Sequence, residues 1–94
     1  MSAVIEGAVK ALGNKISSFD STAKFVIEGE GAIMIDAGGV RAGDEPAEVT
    51  LTASRDTFEG ILNGDVNPTM AYMTGKLKID GSLTDAMKLG AALS

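Results

Sequence analysis

A chain of 94 residues has room for one hydrophobic core, and 45% apolar with 22% charged residues is the composition of a globular protein, not a disordered one. Cys and His are both absent, which excludes disulfides, thiolate or imidazole metal sites and the usual nucleophile–base pairs of enzymes. A net charge of −5 argues against a nucleic-acid partner, whose phosphates need a basic footprint, and against docking on anionic membranes through bulk charge.

Val4, Ile5, Ala8, Val9, Leu12, Ile16 and Phe19 fall on one arc at the helical period, opposite Glu6, Lys10, Asn14 and Ser17. An amphipathic helix is therefore expected over residues 2–18, weakened by Gly7 and Gly13. Period 2 follows. Phe25 and Ile27 alternate with Lys24, Val26 and Glu28; after Gly29-Glu30-Gly31, Ile33 and Ile35 share a second strand. Gly38-Gly39 turns the chain into a short strand at Val40–Ala42, residues 43–46 form a loop, and Val49, Leu51 and Ala53 alternate in a fourth strand. Such alternation implies a sheet with one face buried and the other wet.

Ser54 is the expected N-cap of a helix with Asp56 in its first turn, the stripe Phe58, Ile61, Leu62 and a stop at Gly64. Asn67-Pro68, a cap followed by proline at the first helical position, opens another helix carrying Met70, Tyr72 and Met73. Leu77 and Ile79 alternate with Lys76, Lys78 and Asp80 in a last strand. Ser82 caps a terminal helix with Leu83, Ala86, Leu89 and Leu93 on its apolar face and Met87 beside it. The order α-β-β-β-β-α-α-β-α spells an α+β fold, one domain over residues 1–94, with helices packed on one face of a sheet.

The chemistry-bearing candidates are sparse. Asp36, Asp44, Glu45 and Glu48 surround one loop but lack the spacing of a calcium loop, so no metal is expected. Gly29-Glu30-Gly31 precedes no helix and cannot cradle a phosphate. Asp80-Gly81-Ser82-Leu83 is similar to the attachment site of acyl carrier proteins, yet those are all-helical and residues 23–53 read as strands; a helix cap accounts for Ser82. No catalytic residue and no cofactor are expected. Glu6 interrupts the apolar N-terminus, no basic residue precedes it, and no apolar run nears the ~20 residues of a membrane span, so the expected setting is cytoplasmic, without stable membrane insertion.

Residues 67–81, Asn-Pro-Thr-Met-Ala-Tyr-Met-Thr-Gly-Lys-Leu-Lys-Ile-Asp-Gly, closely resemble the most characteristic stretch of the sterol carrier protein type 2 family. Glu48–Ser54 followed by Asp56, Phe58, Leu62, Asn63 and Gly64 is similar to that family's strand-to-helix passage, and Ala86-Met87-Lys88-Leu89 matches downstream. The resemblance spans roughly residues 5–93. In two respects the chain departs from it: Ile33-Met34-Ile35 stands where many members carry a Trp, and the chain ends at Ser94 without the tail of the animal carriers.

The resemblance implies a five-stranded mixed sheet with helices over one face and an apolar cavity between them, which holds a fatty acid, acyl-CoA, sterol or similar lipid. The expected lining is Phe58, Leu62, Met70, Met73 and Met87 from the helices, facing Ile33, Ile35, Val49 and Leu51 on the sheet. The function expected is non-catalytic carriage of such a lipid. The alternative is an interaction module with a filled core, acting through a homodimer or a partner protein; an apolar rim left uncovered at the chain's end would favour such a partner.

Overall fold

The computed structural model describes residues 3–93, which form α1 (Ala3–Lys15), β1 (Ala23–Ile27), β2 (Gly31–Asp36), β3 (Gly39–Ala42), β4 (Val49–Ala53), α2 (Arg55–Asn63), α3 (Pro68–Met73), β5 (Leu77–Gly81) and α4 (Leu83–Leu93). Ser2, expected in the first helix, and the side chain of Leu93, expected on the last helix's apolar face, lie outside the described residues. All nine expected elements are present, in the expected order.

The strands are ordered β3-β2-β1-β4-β5. β1 and β4 run parallel at the centre, and every other neighbouring pair is antiparallel. The register aligns Phe25 with Ile33 on one side and Leu51 on the other, and Leu51 with Ile79. Ala23, Phe25, Ile27, Ile33, Ile35, Val49, Leu51, Ala53 and Leu77 therefore share one face, and all are buried. The apolar sides of the helices cover that face. α1 lies on β2 and β3 with Ile5, Ala8 and Leu12; α4 lies on β1, β4 and β5 with Ala86 and Leu89. α2 adds Ile61 and Phe58, whose ring meets Phe25 edge-on at 4.5 Å.

Two details differ from the sequence expectation. α1 ends at Lys15, because the Phe19 N–H donates to the Asp36 carbonyl at the end of β2 and draws the chain out of the helix. Ile16 and Phe19 are still buried, but from the segment after the helix. The outer face of the sheet is also not uniformly wet. Met34 points there and is 1% exposed, because the loop after β3 folds over it with Gly43 against its side chain. Met34 lies between Lys24 and Arg41 in the sheet, and these two hold the loop's Asp44 (2.9 Å) and Glu45 (3.1 Å). The acidic loop cluster thus fastens the loop to the sheet.

Candidate functional site: an apolar cleft at the β5 edge

Local chemistry shapes the site. The Asn67 side chain accepts hydrogen bonds from the Thr69 and Met70 N–H groups, and Pro68 takes the position where no N–H is needed. α3 then runs for only six residues, with Ala71 its buried side chain. Gly75, at φ 81°, reverses the chain, and the Lys76 N–H donates to the Ala71 carbonyl to set the entry into β5. At the far end of β5, Gly81 lies against the Glu48 carbonyl, which accepts from the Ser82 N–H at 2.9 Å. Ser82 accepts from the Asp85 N–H, and the Asp85 carboxylate accepts from the Ser21 hydroxyl at 2.8 Å. These bonds pin the start of α4 to the start of β1.

Between α3, β5 and α4 opens a cleft of about 440 Å³. Leu51 of β4 lies at its floor, with Leu77 and Ile79 of β5 beside it. α3 and its cap supply Asn67, Pro68, Thr69, Tyr72 and Met73; α4 supplies Leu83, Ala86, Met87, Gly90 and Ala91. No carboxylate, ammonium or guanidinium lines it, and the Asn67 oxygen is engaged in the cap. The groups whose protonation the fold shifts lie elsewhere. Hydrogen bonds from Arg41 and then from the Gly38 N–H hold the Asp36 carboxyl below the usual range, while Arg41 and Arg55 are raised by Asp36 and Glu59 respectively. A second hollow of about 310 Å³ lies between α1 and α2, lined by Val4, Gly7, Ala8, Ala11, Phe58, Glu59, Leu62 and Asn63.

Of the nine expected lining residues, Leu51, Met73 and Met87 meet in the cleft. Met70 stands exposed on α3, outside the cleft, and Leu62 and Phe58 border the α1–α2 hollow. Ile33 and Ile35 belong to β2, on the other side of β1, beneath α1, and Val49 lies in the packed interior under α4; none of the three has any exposure. These three, and Phe58 at 1%, are packing residues of the core. Pro68, Tyr72, Leu77, Ile79, Leu83 and Ala86 were not among the expected lining. One signal for them was present: α4 carries apolar residues on more than one side, Leu83 and Met87 as well as Ala86 and Leu89, which is more than packing on a sheet requires.

The model of the SCP-2 sterol transfer family matches residues 3–94. The chain belongs to the SCP-2 sterol transfer family. The sterol carrier protein 2 of Aedes aegypti, solved in complex with palmitate, superposes with a TM-score of 0.79 over 100% of this chain and 97% of that one, at 20% identity. The sterol carrier protein domain of Helicoverpa armigera does so with a TM-score of 0.74 at 26% identity, covering 96% and 85%. These likenesses confirm the five-stranded mixed sheet with its helices. Among curated relatives, the peroxisomal multifunctional enzyme A of Dictyostelium discoideum is 38% identical over 69% of this chain, and the hydroxysteroid dehydrogenase-like protein 2 of Xenopus tropicalis 34% identical over 87%. The chain spans only 14% and 22% of the length of these two. No helix among the described residues is long and apolar enough to cross a membrane.

Proposed function

We propose that the chain holds one apolar lipid chain in the α3–β5–α4 cleft and carries it without chemical change. The observation that supports this reading is the cleft itself, about 440 Å³ of space with a lining of Leu, Ile, Met, Ala, Pro and Tyr. That volume is within the range of small-molecule sites. Each methylene moved into it from water contributes about 0.8 kcal/mol, so affinity should rise with acyl length until the cleft is full. With no charged group in the lining, a site of this kind discriminates loosely between isosteric apolar ligands. Leu51, Met73 and Met87 are the contact residues in this reading, joined by Tyr72, Ile79, Leu83 and Ala86. The palmitate of the Aedes aegypti complex makes a fatty acid the first ligand to test. A chain without His or Cys offers no imidazole or thiol for turnover, and the enzyme names among its relatives belong to much longer proteins. The cytoplasm is the compartment of this reading.

Native mass spectrometry of the delipidated chain with palmitate tests it. A one-to-one adduct that is lost in Ala86→Phe is expected; a bare chain at saturating palmitate would overturn the reading. The second reading, a module acting through a homodimer or a partner protein, is favoured by the exposure of Met73 (72%) and Met87 (70%) at the cleft mouth. A bare chain that sediments as a dimer would support it.

A further inference from the structure

The chain has no cysteine, so its five methionines hold all of its sulfur. Their surroundings differ. Met34 is 1% exposed beneath the loop that Lys24 and Arg41 fasten. Met70, Met73 and Met87, on α3 and α4, are 56%, 72% and 70% exposed. Of these three, Met73 and Met87 line the cleft, while Met70, three positions before Met73 on the same helix, lies outside it. A thioether open to solvent is oxidised by peroxide to the sulfoxide, which is polar where the thioether was apolar. The sulfur lone pair takes one peroxide oxygen, the O–O bond breaks, and the other oxygen leaves as water with both hydrogens. Sulfur loses two electrons and the peroxide gains them. The step needs no side-chain base, and the cleft lining offers none.

We infer that Met73 and Met87 form a peroxide-modification site, at which oxidation weakens the hold of the cleft on lipid and a bound lipid holds off oxidation. This inference rests on the carrier reading. The two side chains meet cargo with the apolar surface that the sulfoxide removes. An oxidised side chain either leaves its polar oxygen facing an acyl chain that cannot hydrogen-bond it, or turns that oxygen to water and takes its own contact from the wall. Affinity falls in both cases. In the loaded chain the acyl tail lies against both thioethers and excludes peroxide, so the site registers occupancy. An empty carrier is withdrawn under oxidising conditions and a loaded one is spared. Methionine sulfoxide reductases reverse the step. The fold is not at stake, because neither residue belongs to the core cluster.

The chain carries its own controls in Met34 and Met70. The test treats the delipidated chain with hydrogen peroxide, with and without palmitate, and maps the added oxygen by peptide mass spectrometry. Without palmitate, Met70, Met73 and Met87 should each gain one oxygen and Met34 none. Palmitate should slow the reaction at Met73 and Met87 and leave the rate at Met70 as it was. The oxidised chain should hold palmitate about tenfold more weakly, while its lipid-free melting temperature is unchanged. Methionine sulfoxide reductases with dithiothreitol should restore the affinity. Met73→Leu with Met87→Leu keeps the side-chain volume, and whatever its starting affinity, peroxide should no longer lower it. Met70→Leu should lose affinity on oxidation as the parent does. Failure of the untreated chain to bind palmitate strikes the carrier reading, and this inference with it. Where palmitate does bind, equal protection of Met70, an oxidised chain of undiminished affinity, or a loss that the double leucine variant also suffers would each overturn the inference alone.

Discussion

At residue scale, Gly81 and Asp36 each hold one junction by a different kind of force. Gly81 adopts φ 102°, and a Cβ there would collide with the Glu48 carbonyl oxygen, which belongs to backbone and cannot swing aside. Gly81→Ala should therefore cost about 1–3 kcal/mol from its backbone conformation, with the collision in addition. Urea unfolding should show the loss, and because the carbonyl also anchors Ser82, cleft affinity should fall with it. Asp36 acts through charge. Its carboxyl accepts from the Arg41 guanidinium at 2.7 Å and from the Gly38 N–H at 2.9 Å, and both hold its pKa below the ordinary aspartate value. A depressed carboxylate contributes stability that is present above the unfolded pKa of about 3.9 and is lost as the pH falls through the lower folded value. The urea midpoint of Asp36→Asn should accordingly depend less on pH across that acidic window than that of the parent. An unchanged acid limb would show that the Asp36–Arg41 pair is too solvated to contribute.

At the scale of elements, what was legible is local, and what was missed depends on distant parts of the chain. Ser54, Asn67 and Ser82 could be recognised as caps because the groups they bind lie two or three residues away, and each binds them. The end of α1 could not, since it is decided by the Asp36 carbonyl, seventeen positions beyond Phe19. Nor does alternation reveal strand order. Ile33 and Leu51 read alike as inward-facing strand residues, yet only β4 neighbours the edge strand β5, so Leu51 reaches the cleft and Ile33 lies beneath α1. Alternation alone puts Met34 on the wet face, but its cover is a loop fastened by Lys24 and Arg41, and no periodicity encodes that. The same order of elements shows where the cleft can be blocked. Ala86 faces it from α4, which also packs on β4, and it is 4% exposed. A ring at this position can extend into the open cleft, so Ala86→Phe should cost no more than the ~1–3 kcal/mol of an overpacked site. It should abolish the palmitate adduct while the circular dichroism spectrum stays native.

For the whole molecule the question is how strongly cargo and folding are linked. A sealed apolar void of about 440 Å³ would cost on the order of 10 kcal/mol at ~24 cal/mol per Å³, which rivals the total stability of a small domain. The space here is not sealed: Met73 and Met87 at its mouth are 72% and 70% exposed, so it opens to solvent and the penalty of a sealed void does not apply. The core, from Leu12 through Phe25 and Phe58 to Leu89, is continuous and shares Leu51, Leu77 and Ala86 with the cleft lining, so the cleft is a hollow on its flank and not a void within it. The lipid-free chain should therefore fold cooperatively, and cargo should add to a stability that is already present. The size of that addition follows from mass action. A ligand at one hundred times its Kd stabilises the folded state by about 2.7 kcal/mol, provided that the unfolded chain does not bind it. Each kcal/mol shifts the melting temperature of a 60–100-residue domain by about 4–8 °C. Palmitate well above its Kd, yet below the concentration at which it forms micelles, should thus raise the midpoint by roughly 10–20 °C, with a logarithmic dependence on its concentration. Shorter acyl chains should give smaller shifts at equal concentration. A delipidated chain without a cooperative transition would place the cargo inside the core, and the open cleft would then not be its seat.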